Sequence, residues 1–153
     1  MKLSGIGPLL AIVGGVSSIF FIMLKRTIGF EIQAQSPWRE VMFVLGIFCA
    51  IVGVVFWISS VIQVKRAYGS HVLETKGVYR FSRNPLYAAF IVFIIPAFAF
   101  LNNNLLLLMV SVIMFGVFKS QIKKEEHFLS KEFGQDYRQY AKEVPQLIPF
   151  LRI

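Results

Sequence analysis

Two groups of polar residues in this sequence have the types and spacing for chemistry. The first runs from position 71 to 87 and holds His71, Glu74, Tyr79, Arg83, Asn84 and Tyr87, with Gly77 and Pro85 among them. The second starts at the adjacent Glu125 and Glu126 and continues through Tyr137 and Tyr140. Backbone donors left free near a helix start can bind an anion. Carboxylates can bind a cation, and tyrosines and phenylalanines can hold a flat ring. Such a set suits an amphipathic ligand, for example a zwitterion carrying an aromatic base. Nothing in it calls for a metal: Cys49 is the lone cysteine, so neither a cysteine metal site nor a disulfide framework exists.

The elements that must position these residues follow from the charge map. The chain has 153 residues, enough for a single domain, 1–153. It is 56% hydrophobic and 16% charged, with a mean hydropathy of +0.66, whereas a soluble domain carries about 25% charged residues. Positions 3–24 hold 22 residues without an acidic, basic or histidine side chain, 41–64 hold 24, and 84–118 hold 35. A span needs about 20 apolar residues. The first two stretches therefore predict one span each. The third is too long for one helix and is interrupted by Asn102, Asn103 and Asn104, which predicts a helical hairpin, 85–101 and 105–118. The arms are short, so they tilt or reach only part-way across. The first stretch is too long for an ordinary signal-peptide core and lacks a small-residue cleavage site, which favours a retained span. The expected fold is an all-α integral membrane protein with about four transmembrane helices, a cofactor loop at 65–84, and a C-terminal helix and tail at 119–153.

With four spans, thirteen Lys and Arg fall on one side and three, Lys25, Arg26 and Arg39, on the other. The positive-inside rule then puts both termini and the two polar groups in the cytoplasm. The net charge of +8 is accounted for by topology and by attraction to anionic headgroups of the lipid bilayer. It gives no support for nucleic-acid binding. No acid lies within a span, which argues against a small proton-coupled transporter.

Small residues recur at steps of three or four in the first span (Gly7, Ala11, Gly14, Ser18) and the second (Gly46, Ala50, Gly53), a pattern that lets helices approach closely in lipid. Pro85 suits a helix start, and Pro96 is expected to kink or shorten the same helix. Ala67–Arg83, with its glycines and Ser70, reads as a loop or short broken helix. Beyond position 118, Ile122, Glu126, Leu129, Phe133, Tyr137 and Tyr140 form one helical stripe. A carboxylate on such a stripe wants a cationic partner, and the arginines of the first polar group can supply it; solvation, or pairing with Lys119, Lys123 or Lys124, is the simpler alternative. Gly134 weakens that helix and Val144-Pro145 ends it. The apolar tail around 149–151 can fold back over the polar face as a lid or anchor at the interface.

The order His71-x-Leu73-x-x-x-Gly77-x-Tyr79-x-x-x-Arg83-Asn84-Pro85-x-Tyr87, then Glu125-Glu126-x-x-Leu129-x-x-x-Phe133-Gly134-x-x-Tyr137-x-x-Tyr140, then Val144-Pro145 and Pro149, resembles the isoprenylcysteine carboxyl methyltransferase family. That family is part of a larger group of membrane methyltransferases that includes phospholipid N-methyltransferases. The resemblance covers about half the chain. It implies an S-adenosylmethionine-dependent methyltransferase, with S-adenosylhomocysteine as product and a lipophilic small molecule, lipid or prenylated group as acceptor. The implied cofactor contacts are His71, Val72, Leu73, Glu74, Gly77, Tyr79, Arg83, Asn84, Pro85, Leu86, Tyr87 and Glu125. Gln63 is carried over with one residue's difference in spacing.

Asn84 stands where the family has a histidine, Glu74 where valine is common, and Gln146 where arginine is common. Gln121 stands where eukaryotic members carry a substrate-side arginine. The candidate catalytic residues are Arg83, Glu125 and Glu126. A carboxylate acceptor would need no base, whereas an amine or phenol must lose a proton, and Glu125 or Glu126 would assist. Two rival readings stay open: a non-catalytic lipid-binding scaffold, and an NADPH-dependent reductase of the related sterol reductase group.

Overall fold

The computed structural model describes residues 6–29, 32–70, 72–149 and 151, with the side chains of 67–70 excepted. It is helical, with no strand among the described residues. Helix α1 is Gly7–Ile28, α2 is Trp38–Ser70, α3 is Pro85–Leu101 and α4 is Leu108–Glu143. Three helices are long and apolar enough to cross a membrane: α1, the Trp38–Arg66 part of α2, and α4 with the turn before it, Leu105–Glu143. The 17-residue α3 is a shorter apolar helix. Large apolar side chains face outward along α1 and α2, such as Phe20, Phe48 and Ile51. A solvated monomer would not expose so much apolar surface, so these faces meet lipid and the protein is an integral membrane protein.

Each helix end has a local cause. A proline opens α1, and Gly29 closes it in the left-handed region at φ 68°, its N–H returning to Lys25 O at 3.0 Å. Helix α2 continues to Ser70, so the loop expected from position 65 begins later; the basic Lys65 and Arg66 end the apolar stretch but not the helix, which runs on into the headgroup layer. Pro85 starts α3, and Ala88 N–H donates to Asn84 O at 2.9 Å. Pro96 has no N–H to give and crowds the preceding turn. The helix absorbs this as one π turn, Ala89–Ile94, in which Ile95 N–H reaches back to Phe90 O. In α4 the weak point at Gly134 is a true break, with φ 56° and ψ −121°. The predicted stripe survives it: Ile122, Tyr137 and Tyr140 are buried, and Glu126, Leu129 and Phe133 are half-buried.

Helix α2 packs along α3, and α1 packs along α4. The small residues set the approach. A Cβ on Gly46 would meet Leu101, one on Gly53 would meet Phe93 and Ile94, and one on Gly14 would meet Met114. The core joins Leu10 of α1, Ala88 and Ile91 of α3, and Val110, Phe118 and Ile122 of α4, with Leu147 of the tail inserted against them.

At one membrane face the asparagine turn is bound to the segment between α1 and α2. Asn103, at φ 47°, donates through Nδ2 to Ala34 O at 3.1 Å and accepts from Ala34 N–H at 3.0 Å. Leu105 N–H donates to Ile32 O at 2.9 Å. The opposite face carries the 72–84 loop, the end of α4 and the tail.

Candidate functional site

The 72–84 loop is shaped by short-range bonds. Glu74 accepts from Lys76 N–H at 2.9 Å. A 3₁₀ turn follows, Gly77–Arg80. Gly77 has φ 58° and lies directly on the Gln63 side chain, so a Cβ there would collide with the amide. Both facts require glycine. Ser82 is fully buried and accepts from Asn84 N–H at 3.1 Å.

Two side-chain constellations link this loop and α3 to α4. In the first, Tyr87 Oη donates to Glu125 Oε1 at 3.3 Å, and the Tyr87 ring meets Phe118 edge-on at 5.7 Å. The backbone amides of Ile6 and Gly7, at the start of α1, approach Glu125 and Tyr87 respectively. An acid beside a helix start is favourable. In the second, Arg83 Nη1 pairs with Glu126 Oε1 at 2.6 Å, with the two side chains 14% and 23% exposed, and Tyr137 also contacts Arg83. Arg83 Nε is buried without a hydrogen-bond partner. The expected cationic partner on the α4 stripe is therefore Arg83, paired with Glu126.

Tyr79 is the hinge of the arrangement. Its backbone carbonyl accepts from Tyr140 Oη at 2.7 Å. Burial, and then the nearby Glu74 and Glu125 carboxylates, push its phenol up to about 12. It is a neutral aromatic donor at any ordinary pH.

The tail closes one side. Arg83 N–H donates to Pro145 O at 2.9 Å, and Asn84 Nδ2 donates to Gln146 O at 2.9 Å. Gln146 Oε1 accepts from Lys119 Nζ at 2.9 Å. Asparagine is a preferred helix N-cap, yet Asn84 makes no side-chain cap to α3, because its amide is committed to the tail. Lys119, offered above as a partner for the glutamates, donates to Gln146.

Of the predicted residues, Tyr79, Arg83, Asn84, Tyr87, Glu125 and Glu126 converge at this face. Gln63 and Gly77 meet beneath it, and Gln63 Oε1 is buried with no hydrogen-bond partner. Pro85 is buried, and Leu73 and Leu86 are half-buried. Val72 is 61% exposed, so its side chain does not join the cluster. His71 lies outside the described residues. Tyr140, Gln146 and the amides of Ile6 and Gly7 join the arrangement without having been among the candidate site residues; Tyr140 carried a signal in its place on the α4 stripe, and Gln146 in standing where the family commonly has arginine. No group of three or more metal-ligating side chains occurs among the described residues.

Comparison with known proteins identifies the family. The family model described as phospholipid methyltransferase matches residues 39–136. A probable protein-S-isoprenylcysteine O-methyltransferase of Oryza sativa subsp. indica is 30% identical over 147 residues, covering 89% of this chain and 76% of the relative. Protein-S-isoprenylcysteine O-methyltransferase B of Arabidopsis thaliana is 35% identical over 81 residues, 53% of this chain and 41% of its own length. The Schizosaccharomyces pombe enzyme is also 35% identical over 81 residues, 34% of its length. The chain thus spans less than half of these last two. The solved structure of a eukaryotic intramembrane Ras methyltransferase, isoprenylcysteine carboxyl methyltransferase, superposes with a TM-score of 0.66 at 24% identity, over 99% of this chain and 55% of that one. With a family model over most of its length and a relative at 30% identity matched over three quarters of its extent, this chain belongs to the isoprenylcysteine carboxyl methyltransferase family, within the phospholipid methyltransferase group.

Proposed function

We infer that the protein is an S-adenosylmethionine-dependent methyltransferase acting on a lipophilic acceptor at the cytoplasmic membrane face. The observation that carries this reading is the joining of two distant motif blocks: Tyr87 bonds Glu125 and Arg83 pairs with Glu126, about forty positions apart in sequence. The residues present fit the cofactor. Glu125 offers negative charge to a sulfonium or ammonium group, Tyr79 and Tyr87 offer ring faces, and the unpartnered Gln63 Oε1 and Arg83 Nε offer an acceptor and a donor to polar groups. When bound, the cofactor supplies an activated methyl group.

The chain's own work is then alignment and exclusion of water. Holding an acceptor in line can contribute about 7–11 kcal/mol at best. Arg83 and Glu126, already engaged with each other, are positioning residues that fix the loop against α4. Glu125 is the carboxylate placed to take a proton from an amine or phenol acceptor; a carboxylate acceptor would need no such step. The excess of basic residues on this face supports a cytoplasmic site and cytoplasmic termini.

The test is thermal stabilisation in detergent by S-adenosylhomocysteine, followed by transfer of labelled methyl into a membrane extract. Glu125→Ala should weaken cofactor binding at least about tenfold while the protein stays monodisperse; an affinity unchanged by it would falsify the assignment. Stabilisation by NADPH alone would favour a reductase.

A further inference from the structure

The break at Gly134 does more than end one limb of α4. Residues before it (Lys123 and Glu126) and after it (Tyr137, Arg138 and Lys142) line one open basin with Arg83, a cavity of about 520 Å³. That lies within the usual size of a small-molecule site, about 300–1,000 Å³. Its lining is strongly basic. Glu126 is the acid among these residues and is already paired with Arg83. Lys123, Arg138 and Lys142 are exposed and form no ion pair among the described residues. Arg138 and Lys142 are four apart, so they share one helix face, while Lys123 lines the basin from the limb before Gly134. Arg83 also lines the basin, held there by its ion pair with Glu126. The basin also has a fixed depth. Lys123 is five residues past Phe118, the last residue of the uncharged stretch, about 7.5 Å along the helix, within the headgroup layer of a bilayer.

We propose that the elbow of α4 is a binding site for the phosphate of one anionic phospholipid headgroup, held between Lys123 on one limb and Arg138 and Lys142 on the other. Charge complementarity and depth select the occupant: three uncommitted cations face a layer in which anionic phosphodiesters are concentrated. The three cations are not part of the Tyr87–Glu125 constellation, although the basin shares Arg83 and Glu126 with the candidate site. The bound headgroup ties the limb that carries Tyr137 and Tyr140 to the membrane surface.

The experiment uses the full chain in neutral detergent, titrated with dioctanoyl phosphatidylglycerol, dioctanoyl phosphatidylcholine or sodium phosphate, with thermal stability as the readout. Phosphatidylglycerol should stabilise the protein saturably and phosphatidylcholine should not. Each Lys or Arg near an anionic surface contributes about fivefold, so Arg138→Gln with Lys142→Gln should raise the half-saturating concentration about thirtyfold. Arg26→Gln with Arg39→Gln, at the other membrane face, should leave it unchanged. Should the first pair of substitutions prevent folding, Lys123→Gln is read instead, with about a fivefold loss expected. Equal responses to the two lipids, or an unchanged half-saturation in the basin variants, would overturn the proposal. So would inorganic phosphate matching the lipid at equal concentration, which would mark a free-anion site.

Discussion

The hydroxyl of Tyr140 donates to the backbone carbonyl of Tyr79 at 2.7 Å, joining residues 61 positions apart. The acceptor belongs to the loop and the donor to the last helical limb, so this bond reports whether the two are docked. Tyr140→Phe removes the donor and keeps the ring. The part-buried carbonyl then lacks that partner, at a cost of about 1 kcal/mol. Thermal unfolding in detergent should show that loss, and hydrogen exchange should rise selectively at 77–81.

The Arg83–Glu126 pair makes a larger demand. Removing the arginine strands a carboxylate on the half-buried stripe. For buried pairs the loss is about 3–5 kcal/mol, and the 14% and 23% exposure of these side chains places the expectation for Arg83→Ala near about 3 kcal/mol. Adding Glu126→Ala should recover part of it, because no lone charge remains. A double variant less stable than Arg83→Ala alone would contradict the pairing.

Asn84 stands where the resemblance to the family leads one to expect a histidine, and here its amide holds the tail. Asn84→Ala should loosen 144–149, leaving the Arg83 N–H bond to Pro145 O as the remaining hydrogen bond from the loop, seen as faster carboxypeptidase trimming, for about 1 kcal/mol of stability. A histidine ring N–H can donate at a similar reach, so Asn84→His should retain most of the protection. If alanine trims no faster than wild type, the Asn84–Gln146 bond does not hold the tail.

Gly134 has a backbone that other residues rarely adopt, and open space around it. The cost of Gly134→Ala is therefore backbone strain alone, about 1–3 kcal/mol. A helix that straightens to escape this strain would withdraw Tyr140 from Tyr79. In that background Tyr140→Phe should become neutral, which a double-mutant cycle can measure.

The Tyr79 phenol sets an alkaline limit. Its folded value of about 12 stands above the ordinary 10.0. Between those values the unfolded chain loses this proton while the folded chain keeps it, so stability falls as pH rises through that window and the contribution is intact below it. Tyr79→Phe should flatten the slope between about pH 10 and 12. The absorbance difference between the two proteins at high pH should show a tyrosine that ionises late.

Much of this architecture is legible in the sequence because lipid imposes simple rules. Gaps between charges mark the long helices, and the α4 stripe placed Glu126 where it needed a cation. Three features were not legible, each for a physical reason. The extent of α2 to Ser70 depends on helix propagation past the last apolar residue, which glycine and serine weaken but do not forbid. The π turn before Pro96 is one of several ways to absorb a proline. The bond from Asn84 to Gln146 joins a side chain to a backbone carbonyl, and a carbonyl has no sequence identity. The adjacent glutamates face two different partners, Tyr87 and Arg83, since neighbouring helix positions point about 100° apart.

The asparagine turn has a mechanical meaning. Three hydrogen bonds fasten Asn103 and Leu105 to Ala34 and Ile32, so both connections at that face are stitched together. A guest that entered between the helices from that face would have to break all three of these bonds first.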